Sequence, residues 1–69
     1  METFKIKDDY IKLGQLLKAA NMVDSGVMAK IVIQEGLVKV NGETETQRGK
    51  KLRDGDVVSF EDETIKVIG

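Results

Sequence analysis

The sequence predicts an α+β domain in which two short packed helices are followed by a small antiparallel or mixed sheet, in the order β-α-α-β-β-β. Three observations lead there. Residues 25–42, SGVMAKIVIQEGLVKVNG, open with a helix-capping Ser, stop at Gly36 and run straight into an apolar extended segment ending in Asn-Gly. Residues 13–20 place Leu13, Leu16, Leu17 and Ala20 on one narrow arc of a helical wheel. Both ends of the chain carry short runs with a period of two. Helices and strands are segregated, which favours α+β over alternating α/β.

Taken in order, Glu2 to Lys7 sets Phe4 and Ile6 on one face and Thr3, Lys5 and Lys7 on the other, a half-buried strand that ends at Asp8-Asp9. The helix over 13–20 turns Gly14, Gln15 and Lys18 away from its apolar arc. Asn21 to Asp24 connects it to the second helix, with Met22 and Val23 tucked beneath. On that helix Val27, Met28, Ile31 and Val32 form one broad apolar side flanked by Ala29 and Ile33, so it is expected to be mostly buried. Gly26, Lys30 and Gln34 recur every four residues as its narrow polar stripe. After Asn41-Gly42, residues 43–51 are polar and read as an exposed loop, with Leu52 anchoring its far end. Asp54-Gly55-Asp56 is a turn and Val57 to Phe60 a strand. Glu61-Asp62-Glu63 turns again, and Thr64 to Ile68 closes the sheet.

Sixty-nine residues form a single small domain, residues 1–69, whose core has little margin. With no Cys and no His, disulfides, thiolate metal sites and the commonest general base are all absent. Ser25 lacks a base and reads as a helix cap, while the acidic pairs Asp54/Asp56 and Asp62/Glu63 read as turns. No catalytic residues, metal ligands or cofactor are expected, and the chain reads as no enzyme. No apolar run approaches the roughly 20 residues of a membrane span, and the first residues lack a secretory apolar core. The expectation is a cytoplasmic monomer.

The formal net charge is −1, against a strongly basic nucleic-acid binder, but the charge is unevenly placed. Residues 12–53 hold eight cations against four acids, whereas residues 54–69 hold one cation against five acids. Arg48-Gly49-Lys50-Lys51 sets three cations beside a hairpin, where they repel one another unless an anion arrives. One Tyr, two Phe and no Trp are too few for base-by-base reading of single strands, so backbone and shape contacts to a folded RNA fit better.

The stretch LGQLLKAANMVDSGVMAKIVIQEGLVKVNGE resembles the RNA-binding domain family of small-subunit ribosomal protein four, the alpha-L motif. Lys12-Leu13, Ser25, Ala29-Lys30 and Gly36-Leu37-Val38-Lys39-Val40-Asn41-Gly42 match that family's pattern in order and spacing, and the following tail is similar to its short stand-alone, YaaA-like members. Gly14 stands where the family has an acid and Gly26 where it has an Arg. The resemblance implies binding of ribosomal or transfer RNA, in translation or ribosome assembly, with the ribosome or another protein as a further partner. The implied RNA-binding residues are Lys12, Ser25, Gly26, Lys30, Gln34, Lys39, Asn41, Arg48, Lys50 and Lys51. Two alternatives stand beside it. A β-grasp sulfur carrier shares the Val-Asn and Asp-Gly-Asp segments, but its terminal Gly-Gly is matched here by the single Gly69. A protein–protein interaction module without RNA binding is the other.

Overall fold

A computed structural model describes residues 1–69. Its elements run β1 (Glu2–Lys5), β2 (Ile11–Lys12), α1 (Leu13–Ala19), α2 (Gly26–Gln34), β3 (Val38–Val40), β4 (Glu43–Thr44), β5 (Lys51–Leu52), β6 (Val57–Phe60) and β7 (Glu63–Ile68). The expected α+β order survives, with short strands added at β2, β4 and β5. Five strands form one mixed sheet in the order β1-β7-β6-β3-β4, and β2 pairs with β5 as a separate two-stranded ribbon. All neighbours in the main sheet are antiparallel except β1 and β7, which run parallel with Glu2 opposite Ile65 and Lys5 opposite Ile68. The Ile6 N–H carries that pairing one residue further, donating to the Ile68 carbonyl at 2.8 Å.

Local chemistry explains where the elements stop. Asn21 takes a φ of 59° after α1, and the Met22 N–H donates back to the Leu17 carbonyl at 2.9 Å. Gly36, at φ 77°, ends α2 in a Schellman arrangement. The Leu37 N–H reaches the Val32 carbonyl and the Gly36 N–H the Ile33 carbonyl, both at 3.1 Å, so carbonyls left open by the helix end are satisfied. Asn41 and Gly42 both have positive φ, as a two-residue turn between right-twisted strands requires.

One core cluster holds the fold together. Leu13, Leu16 and Leu17 of α1, Ile33 of α2, Val38 of β3, Leu52 of β5, Val58 of β6 and Val67 of β7 are all fully buried. Along β3 the alternation is clean, with Val38 and Val40 inside and Lys39 outside. Helix α2 departs from expectation. Its buried residues are Ala29, Val32 and Ile33, whereas Val27, Met28 and Ile31 are exposed. A helix apolar on nearly every side gives periodicity little to choose between. The choice was made by what is available to cover it, and a domain with one other helix and one sheet covers only one side.

Candidate nucleic-acid interface

The basic loop after β4 does not hang free. A turn over Gln47–Lys50 is closed by the Lys50 N–H on the Gln47 carbonyl at 3.2 Å. From that turn the Arg48 carbonyl accepts the Gly14 N–H at 3.0 Å, and the Lys50 carbonyl accepts the Leu13 N–H at 2.8 Å. Two N–H groups that the first turn of α1 leaves without helical partners are thus met by the loop. The ribbon adds a second fastening, with Ile11 opposite Leu52 and Lys12 opposite Lys51. Leu52 is fully buried, so the chain between β4 and β5 is pinned to the core at its far end.

Gly14 makes the close approach possible. A Cβ at that position would stand 3.0 Å from Arg48 Cγ and 3.6 Å from the Arg48 carbonyl oxygen. Without one, the stem of Arg48 lies directly across the start of α1. Beside it opens a cavity of about 480 Å³ lined by Lys12, Gly14, Gln15, Lys18, Gly26, Arg48 and Gly49. Three lining residues are cations and none is an acid. Gly26 is the first residue of α2, where added side-chain bulk would meet nothing within 4 Å. Ser25 caps that helix, its Oγ accepting the Met28 N–H at 3.1 Å, and no acid stands in the first turn to neutralise the positive end of the helix dipole. Three lining cations, together with a helix terminus, suit an oxyanion such as a phosphate.

Of the residues singled out from sequence, Lys12, Gly26 and Arg48 come together on this cavity, with Ser25 at its rim as the helix cap and Lys51 directly across the ribbon from Lys12. Lys30 and Gln34 are exposed one and two turns further along α2 and do not line it. Three others lie away from the cavity. Lys39 sits on the sheet face opposite the buried Val38 and Val40, because strand alternation sends its side chain away from the helices. Asn41 is engaged within the fold, its Nδ2 donating to Asp56 Oδ1 at 3.0 Å and its Oδ1 accepting the Val57 N–H at 2.9 Å. Lys50 supplies its backbone carbonyl to α1, is not among the cavity-lining residues, and its charge acts on Asp56.

Asp56 is the one group whose ionisation the fold clearly shifts. Partial burial pushes its carboxyl up, but the Arg53 N–H at 2.8 Å, the Asn41 amide and the cations Lys50 and Arg53 together hold it below its ordinary value. It is a structural acid that ties β3 to the turn before β6.

Sequence reasoning missed Lys18 and Gln15 as cavity residues. Both stand with Gly14 on the polar side of α1, a set visible in the sequence but indistinguishable there from an ordinary solvated face. Gln15 also has a positioning contact, its Oε1 accepting the Lys12 N–H at 3.2 Å.

Comparison with known proteins agrees with this architecture. A family model described as the S4 domain matches residues 4–68. A relative from Escherichia coli (strain K12) that carries the name "Putative RNA-binding protein YbcJ" is 41% identical over 69 residues, covering 99% of each chain. The "Probable ribosome maturation protein RlbA" of Bacillus subtilis (strain 168) is 48% identical over 56 residues, covering 81% of this chain and 79% of that one. The solution structure of YbcJ, described as revealing an αL motif involved in RNA binding, superposes with a TM-score of 0.77 at 40% identity, over 100% of this chain and 89% of that one. The sulfur-carrier alternative finds no support among these relatives. With a matching family model over nearly its whole length and relatives above 40% identity, the chain belongs to the S4-domain family and has the alpha-L fold.

Proposed function

We propose that this protein binds folded RNA without catalysing a reaction on it, gripping the phosphate backbone where the loop after β4 meets the two helices. The observation that carries the reading is the cavity that the cations Lys12, Lys18 and Arg48 line together with Gly26 at the N-terminus of α2, with no acid among the lining residues. Lys51 stands across the ribbon from Lys12, and Lys30 is one turn along α2 from Gly26. Contact through phosphates and shape explains how an overall charge of −1 is compatible with RNA binding, since the relevant field is local. Ribosomal RNA is the favoured class, supported by the name of the Bacillus relative, with action in the cytoplasm during ribosome maturation.

Salt dependence of affinity tests it. If three to four phosphates are neutralised, log affinity falls against log salt with a slope of about −3. Replacing Lys12, Lys18 and Arg48 together with Ala is expected to flatten that slope by about 2 to 3 and to lower affinity at least tenfold at low salt. All three side chains are exposed, so the melting temperature should move little. An unchanged slope in the triple variant removes the cavity from the interface.

A further inference from the structure

The β2–β5 ribbon presents an aromatic ring beside the phosphate cavity. Ile11 and Leu52 face the core, so strand alternation turns their neighbours Tyr10, Lys12, Lys51 and Arg53 to the outward face. Tyr10 is 37% exposed. Lys51 Nζ lies 4.9 Å from the centre of its ring and the guanidinium carbon of Arg53 lies 5.9 Å from it. The ring's quadrupole draws both cations to its face. Next to it runs a groove of about 370 Å³ whose apolar wall includes Phe4, Ile6, Ile11 and Ala19. Gln15 lines this groove and the phosphate cavity alike, so the two are adjacent along α1.

A partly exposed ring that carries two cations over it, one side chain from a phosphate site, can receive a nucleobase once those cations move off the ring. The phosphates flanking the base draw Lys51 and Arg53 away from the ring, and the base takes their place on its face. We propose that Tyr10 is a stacking platform for one unpaired base of the bound RNA, and therefore that the preferred ligand is a helix interrupted by a bulge, loop or junction. In an unbroken A-form duplex every base is stacked on its neighbours, and a side chain on a protein surface has no free face to meet. This inference rests on the RNA-binding reading above and adds the class of RNA. A solvated tyrosine with two cations resting on it is the ordinary alternative, and it makes no distinction between the two kinds of RNA.

Tyr10 is the only Tyr and the chain has no Trp, so intrinsic fluorescence reports on this ring alone. The experiment compares two annealed RNA duplexes of equal length, one uninterrupted and one with a single bulged nucleotide, against the wild-type chain and the Tyr10→Ala and Tyr10→Phe variants. Wild type is expected to bind the bulged duplex more tightly and to lose tyrosine emission as it does so. Tyr10→Ala should weaken binding of the bulged duplex about 5- to 150-fold, as loss of one base–aromatic contact does. It should leave binding of the uninterrupted duplex and the salt slope unchanged, because no phosphate contact is removed. Tyr10→Phe, which keeps the ring, should retain the preference. Equal affinity of wild type for both duplexes, or an undiminished preference in Tyr10→Ala, overturns the stacking site and leaves the RNA-binding reading standing. Failure of the wild type to bind either duplex overturns both.

Discussion

Ile31 and Ile33 offer a controlled test of the packing, being the same residue type on one helix, two positions apart. The helical wheel puts Ile31 on the broad apolar side and Ile33 at its flank, but in the fold Ile31 is 45% exposed and Ile33 is fully buried. Full burial of an isoleucine side chain stabilises by about 1.5–3 kcal/mol. With roughly half of Ile31 already in water, Ile31→Ala removes at most about 1.5 kcal/mol of transfer free energy, and Ala returns a few tenths as the better helix former. Water fills the space, so no cavity term is added. Ile33→Ala loses the whole transfer contribution and leaves a hole, for a cost of about 2–5 kcal/mol. A domain of this length has about 3–10 kcal/mol in total, so that variant stands at the edge of unfolding. The milder Ile33→Val, at about 0.5–1.5 kcal/mol, keeps the comparison measurable. Urea denaturation followed by circular dichroism should show Ile33→Val less stable than Ile31→Val, with unchanged m-values. Equal losses, or a larger loss at residue 31, would refute the helix orientation and with it the direction in which Gly26 and Lys30 face.

Two further outcomes follow from single positions. Gly36→Ala places a Cβ at a φ of 77° where its nearest neighbour, Thr44 Cγ2, is an ordinary 3.6 Å away, so the cost is conformational, about 1–2 kcal/mol. A thermal melt should fall by roughly 5–15 °C, and an unchanged midpoint would contradict the Schellman ending of α2. Asp56 has a lowered folded-state pKa, so its contribution is present above its unfolded value near 4 and is lost as pH falls through the folded value. The melting temperatures of wild type and Asp56→Asn should therefore differ most at neutral pH and converge under acid, whereas a constant gap would show that the carboxylate's charge plays no part.

Much of the fold is legible along the chain because its signals are local. Ser25, Gly36 and Asn41-Gly42 each act on backbone within a few residues, and each does in the structure what its residue type predicts. Leu13, Leu16 and Leu17 form so narrow a stripe that only one face of α1 can be buried. Lys12 by its place in the family pattern, Arg48 by its place in the basic loop and Gly26 by its place at the start of the second helix are all legible in the sequence, and they meet at one cavity.

What the sequence by itself determined was the pair of helices, the hairpin corner and the charge-rich middle of the chain, all of them decided by neighbours a few bonds away. Tertiary structure alone decided which side of α2 faces inward and that β1 lies parallel to β7, since each depends on what the rest of the chain leaves uncovered. It also decided that the loop carbonyls of Arg48 and Lys50 close the first turn of α1, bringing residues more than thirty positions apart into hydrogen-bond contact. That contact, which no periodicity encodes, brings Arg48 onto the cavity that Lys18 lines and turns scattered cations into a site.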